Sequence, residues 1–256
     1  MEWQRLHKLV LIYSIVGENN LQKRSPEQFR ESRYLTEKWF SVFTLGHDNP
    51  GKRNWLDDGE IDQGIAQGYT EHSVEYYIND WRYRGKIVPD EGVDAAFGCS
   101  YTFGYGVGTC WPELVGVTNL GQNGASNDQI ARLAISYCKT FNPTNIYVMW
   151  TFKERREHTE ETGGLSKFKN LSKQAIKQEL KYPTWISSYA SIMNNKADEY
   201  NYQKNRQLLE CFCKANNIKL HQCTINTLSK EAFPRARDDD HPGEEWHVNM
   251  AGIICQ

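Results

Sequence analysis

From residue 93 onward, short apolar runs alternate with stretches of helical periodicity, and few architectures accept that order. Strands are expected over 93–99, 117–120, 145–152 and 218–225. Between them the spacing predicts helices over 111–117, 126–140, 172–180 (interrupted by Pro183) and 199–215. In the second helix Ser126 and Gln129 have capping-box spacing, and Ile130, Leu133, Ala134, Tyr137 and Cys138 share one face. In the last, Leu208, Phe212 and Ala215 are expected to face inward. Strands separated by helices form a mostly parallel sheet covered on both faces, so the expected fold is α/β, a three-layer α/β/α sandwich.

Residues 1 to about 90 have another texture, with Trp3, Trp39, Trp55 and Trp81 set among turn-rich, charged stretches. They are read as an N-terminal extension, over 1–90, packed on a core domain over 91–256, with the aromatics more easily explained by packing than by sugar stacking. Glu75 to Gly85 reads as extended chain leading to a turn. The 256 residues suffice for a full core, and a formal net charge of -2 with both signs mixed gives no general affinity for nucleic acid or anionic membrane. The seven cysteines are odd in number and lack a framework spacing, which favours a reduced compartment. The apolar run at 9–16 is too short to span a bilayer and has no small-residue cleavage site after it, so a cytoplasmic location is expected.

The first strand ends in Gly98-Cys99-Ser100 and passes into a glycine-rich turn, so Ser100 is presented rather than packed. Downstream, Asp238-Asp239-Asp240-His241-Pro242-Gly243 holds a carboxylate and an imidazole in one loop. A serine hydroxyl becomes a nucleophile when a base takes its proton, histidine has the pKa for that, and a carboxylate fixes the imidazole tautomer. Ser100, His241 and Asp238 are therefore the expected catalytic residues, with Asp239 or Asp240 replacing Asp238 if the loop turns differently. His247 is the rival base, although a histidine within the final helix is more often a packing residue. Gly104-Tyr105-Gly106-Val107-Gly108 lacks the last spacing of a dinucleotide fingerprint. Cys211 and Cys213, two apart on a helix, point to different sides and make a poor zinc site with His221 and Cys223. Thr102 stands where a Gly-x-Ser-x-Gly elbow needs its second glycine.

These blocks resemble the SGNH, or GDSL, serine hydrolases. Gly98-Cys99-Ser100 is similar to the nucleophile block, Asn119 to Ser126 to the second block with its glycine at Gly124, and Asp238 to Pro242 to the last. The resemblance covers about 93–256 and departs from the family twice. Cys99 replaces the Asp before the nucleophile, and Thr151-Phe152-Lys153-Glu154 stands where the third block carries Gly-x-Asn-Asp. It implies an esterase acting on a short acyl or acetyl ester, with the backbone N–H groups of Ser100 and Gly124 as oxyanion donors; Thr151 or Lys153 stands where a substitute for the missing Asn would be needed, and Lys153 is the preferred one. It implies no metal and no cofactor.

In open parallel sheets, ligands bind beyond the carboxyl ends of the strands, and Ser100, Gly124 and Thr151 to Arg156 each follow a proposed strand. Thr151, Arg155 and Arg156 are accordingly the expected substrate contacts, the arginines suited to a carboxylate, a sulfate or a sugar acid. The expected partner is a small-molecule or saccharide ester. An O-acyltransferase would use the same triad, and a catalytically silent carbohydrate-binding or structural protein would explain the absent Asn. The oligomeric state is left open.

Overall fold

The computed structural model describes residues 51–54, 74–162, 165–171, 194–236 and 240–256. In chain order the elements are β1 (Gly51–Asn54), β2 (Glu75–Ile78), β3 (Ala95–Phe97), α1 (Ser100–Phe103), α2 (Trp111–Val115), β4 (Thr118–Asn119), α3 (Asn127–Phe141), β5 (Asn145–Trp150), β6 (Arg156–Thr162), β7 (Leu165–Leu171), α4 (Asn195–Ala215), β8 (Lys219–Thr224) and α5 (Glu244–Ile254), with a 3-10 turn at Lys230–Ala232 before α5. The helix expected over 172–180 lies outside the described residues, as do Trp3, Trp39 and Trp55.

The central sheet has the order β4-β3-β5-β8, and every pair in it is parallel. Two antiparallel pairs, β1 with β2 and β6 with β7, stand apart from it. Alternate residues of the strands face opposite layers. Phe97 and Val148 are paired in register, and Phe97 meets Tyr137 of α3 edge to face while Trp150 meets Tyr202 of α4. On the opposite face Tyr147 stacks on His221, and Cys223 touches Met250 of α5. Helices α3 and α4 thus cover one face and α5, packed with α2, the other, which is the three-layer α/β/α arrangement.

The core is aromatic. Trp111, Trp150 and Trp246 are fully buried, and the Trp150 and Trp246 indole N–H groups donate to Gln222 Oε1 and the Leu228 carbonyl. Trp81 joins this cluster by packing on Phe141. Among the described residues no helix is long and apolar enough to cross a membrane.

Two expectations need correction. The strands are shorter than the apolar runs, because Gly98 and Thr151 already belong to the turns that leave the sheet. Helix α4 also buries a different face: Leu208 is 43% exposed, whereas Asp198, Asn201, Tyr202, Asn205, Leu209 and Cys213 are buried. That polar stripe has a reason, since Asn201 and Asn205 both donate to Asp128 Oδ1 of α3, at 2.9 and 2.8 Å. A helix whose buried side carries hydrogen-bonded amides has a weak apolar signature.

Candidate active site

Ser100 is the first residue of α1, placed there by β3 and by Cys99, which is wholly buried. The short helix lies in a close cradle. A Cβ on Gly121 would sit 2.4 Å from the backbone nitrogen of Phe103, so only glycine permits this approach. Asn119 completes the seat, donating from Nδ2 to the carbonyls of Thr102 (3.0 Å) and Phe103 (3.3 Å) while accepting from Gly121 N–H. Ser100 N–H, at the helix start, has no intrahelical partner to serve.

His241 arrives from the other end of the chain. Its Nε2 stands 2.8 Å from Ser100 Oγ, across 141 residues of sequence. The loop that carries it is closed at the neck by Ala236 N–H donating to the His241 carbonyl and Gly243 N–H donating to the Pro234 carbonyl. Lys230 Nζ donates to the Asp240 carbonyl (2.7 Å) and to its carboxylate (3.0 Å), and Arg235 reaches the same carbonyl. Burial opposes the Lys230 ammonium, but Asp240 and Tyr101 hold its pKa above the usual value. Asp238, the expected orienting carboxylate, and Asp239 lie within this loop but outside the described residues.

Two aromatic rings that the motifs did not announce enclose the imidazole. Tyr101 meets it edge-on at 5.6 Å and Tyr105 tilts over it at 5.2 Å. Tyr105 sits in the glycine loop, and that loop is held by the fully buried Arg84. Its guanidinium donates to the carbonyls of Gly104 (2.5 Å), Val107 (2.8 Å) and Gly108 (2.8 Å) and pairs with Glu113. Glu244, at the start of α5, takes the Gly108 N–H. The glycine loop is thus a brace between α1, which carries Ser100, and the segment that carries His241 and Glu244.

His247 has a different occupation. It is buried, its Nδ1 accepts the Trp111 backbone N–H at 3.3 Å, and burial followed by the nearby Arg84 and His241 lowers its pKa to about 3. It is packed in the core with Nδ1 already engaged.

The remaining expected residues separate. Gly124 is exposed, has φ 73°, and follows β4 on the loop that enters α3 at its cap Ser126. Thr151 is buried, and its backbone is docked to Asn127: Thr151 N–H donates to Asn127 Oδ1, and Asn127 Nδ2 donates to the carbonyls of Thr151 and Phe152. Lys153, expected in the oxyanion hole, turns instead to Glu199 at 2.5 Å and lies over the Tyr202 ring. Arg156, expected to contact substrate, is buried and tied to Asp198 and to the Ala197 carbonyl at the start of α4. Arg155 Nη1 lies 3.2 Å from Thr151 Oγ1 and 3.5 Å from the Ala125 carbonyl.

Beyond the ends of β5 and β8 opens a recess of about 840 Å³, walled by Thr151, Lys153, Glu199, Tyr202, Arg206 and Asn226 among others. Neither Ser100 nor His241 lines it. Among the described residues no three His, Cys, Asp or Glu side chains are grouped to hold a metal.

No family model matches the chain, and no curated protein matches it significantly. Two solved structures are similar. One is a "putative acylhydrolase" from Bacteroides fragilis NCTC 9343, 13% identical over 80% of this chain and 96% of that one, with a TM-score of 0.30. The other is a GDSL-like lipase from Bacteroides thetaiotaomicron VPI-5482, 14% identical over 79% of this chain and 97% of that one, with a TM-score of 0.29.

Proposed function

We propose that the protein is a serine ester hydrolase of the SGNH type, and the observation that carries this reading is the 2.8 Å approach of His241 Nε2 to Ser100 Oγ. A serine at the start of a helix, with a histidine brought to it from 141 residues away and braced by two loops, is an arrangement that packing alone does not require.

In this reading Ser100 Oγ attacks the carbonyl carbon of an ester while His241 Nε2 takes the hydroxyl proton. The carbonyl π electrons move onto oxygen, and the N–H groups of Ser100 and Gly124 receive that charge. When the oxyanion collapses, the bond to the leaving alcohol breaks and His241 returns the proton to it. Water then attacks the acyl-serine with His241 accepting its proton, and as the acyl C–Oγ bond breaks His241 returns that proton to Ser100 Oγ, releasing the acid and restoring the free serine. Asp238, three residues before His241, is the group assigned to hold the imidazole tautomer. The polar walls of the recess beside Thr151 suit a hydrated alcohol such as a sugar, so a short acyl or acetyl ester of a saccharide is the proposed substrate class.

The test is hydrolysis of short-chain p-nitrophenyl esters by the wild type, Ser100→Ala and His241→Ala, together with labelling by a fluorophosphonate probe. Turnover and labelling are expected in the wild type and should both vanish in Ser100→Ala, with turnover falling by at least about 10³-fold in His241→Ala. A folded wild type that neither labels nor cleaves any ester overturns the reading and leaves a binding protein on a hydrolase-like sheet.

A further inference from the structure

The turn that follows β5 ends in a guanidinium with no counter-ion among the described residues. Arg84, Arg132, Arg156, Arg206 and Arg235 each have a carboxylate partner. Arg155 has none; its Nη1 touches only the neutral Thr151 Oγ1 at 3.2 Å and the Ala125 carbonyl at 3.5 Å, both near the long limit of a hydrogen bond. Its Nε and Nη2 make no hydrogen bond among the described residues. The guanidinium is not loose, because it lies 4.9 Å over the Phe152 ring and its backbone N–H closes the turn onto the Phe152 carbonyl.

Its position follows from the strand order. Strand β3, which delivers Ser100, lies between β4 and β5. The loop after β4 carries Gly124 and Ala125, the turn after β5 carries Thr151 to Arg155, and the two flank the end of β3. Arg155 bridges them by touching both Thr151 and Ala125, the residue next to Gly124. Lys153 leaves in the other direction, to Glu199 and Tyr202. Asn127 pins the base of the turn through three hydrogen bonds, so the guanidinium hangs from a fixed point.

We propose that the Arg155 guanidinium is the third oxyanion donor of this site, acting beside the amides of Ser100 and Gly124. The inference rests on the serine hydrolase reading and adds a charged donor to it. A charge-assisted hydrogen bond to the developing alkoxide is stronger than one from a neutral amide, and a donor already in place costs no reorganisation when the charge appears. An open N–H edge is what such a donor must keep.

The experiment compares wild type, Arg155→Met, Arg155→Lys and Arg155→Ala on p-nitrophenyl acetate, which is neutral, and on an ester bearing a carboxylate. Folding of each variant is verified by circular dichroism and melting temperature. Arg155→Met is expected to lose about 10²- to 10³-fold in kcat on both esters with little change in KM, and to react more slowly with the fluorophosphonate. Arg155→Lys should regain part of the rate, and millimolar guanidinium should partly rescue Arg155→Ala. Arg155→Met cleaving the neutral ester at the wild-type rate overturns the proposal while leaving the nucleophile assignment intact. So does a loss confined to KM for the anionic ester, which would make Arg155 a substrate clamp. Silence of the folded wild type on every ester overturns this proposal and the hydrolase reading together.

Discussion

The two histidines of the C-terminal segment, six residues apart, have opposite surroundings. His241 is half-buried, flanked by tyrosine rings and turned to Ser100, whereas His247 is sealed beneath Trp111 with its Nδ1 occupied. The sealed one makes stability depend on pH. An unfolded histidine protonates near pH 6.5, while folded His247 stays neutral down to about 3. Its contribution is therefore complete above pH 6.5 and is lost progressively as pH falls toward 3, because the unfolded chain takes up a proton that the folded chain refuses. The loss is on the order of a few kcal/mol. Urea midpoints between pH 7 and 4.5 should fall more steeply in wild type than in His247→Asn, whose carboxamide oxygen can still accept the Trp111 N–H; equal slopes would exclude His247 as the source. At this scale the sequence pointed to Ser100 and His241 because each sits in a local motif, and the two side chains do meet. Arg84 and Tyr105 were not. The acceptors of Arg84 are backbone carbonyls 20 and more residues away, and a carbonyl carries no residue signature.

At the level of elements, the position of α1 decides whether Ser100 meets His241, and Gly121 decides the position of α1. A methyl group there would press on the Phe103 nitrogen at 2.4 Å and on the Thr102 carbonyl carbon at 2.8 Å, and a backbone cannot swing aside as a side chain does. Gly121→Ala should cost about 1–3 kcal/mol as overpacking and shift the serine from its histidine. A lower urea midpoint and slower fluorophosphonate labelling are the expected readings, and a variant indistinguishable from wild type in both would show that α1 has another seat. The helix and strand order was legible because apolar runs and helical periodicity mark it, and the cap at Ser126 was legible from its partner Gln129. The facing of α4 was not, because its buried stripe includes Asp198, Asn201 and Asn205, which are buried for their hydrogen bonds rather than for their hydrophobicity. Nor was the polar seam from α3 to β6, where the bidentate pair of Arg132 and Glu157 is almost completely covered. Burial raises the Glu157 pKa against the pull of Arg132, so this pair specifies contact more than it adds stability.

Across the whole molecule, the seven cysteines sample every layer of the sandwich, and their reactivity tests its packing in one measurement. All seven are free thiols. Cys99 lies at the end of β3, Cys110 before α2, Cys138 in α3, Cys213 in α4 and Cys223 in β8, all withdrawn from solvent to some degree; Cys211 and Cys255 alone are exposed. Burial raises the pKa of Cys110, Cys213 and Cys223 to about 12, and raises Cys138 as well, which removes the thiolate that a disulfide reagent attacks. Titration of the native protein with an aromatic disulfide at pH 8 should therefore release two equivalents promptly, from Cys211 and Cys255, with the other five appearing only as denaturant opens the core. The sharpest contrast is within α4. Cys211 and Cys213 are two residues apart and point to different sides of one helix, so Cys211→Ser should remove one prompt equivalent and Cys213→Ser none. If both react promptly, α4 does not lie on α3 as described, and the polar seam through Asp128, which fixes the start of α3 and with it the loop bearing Gly124, loses its support.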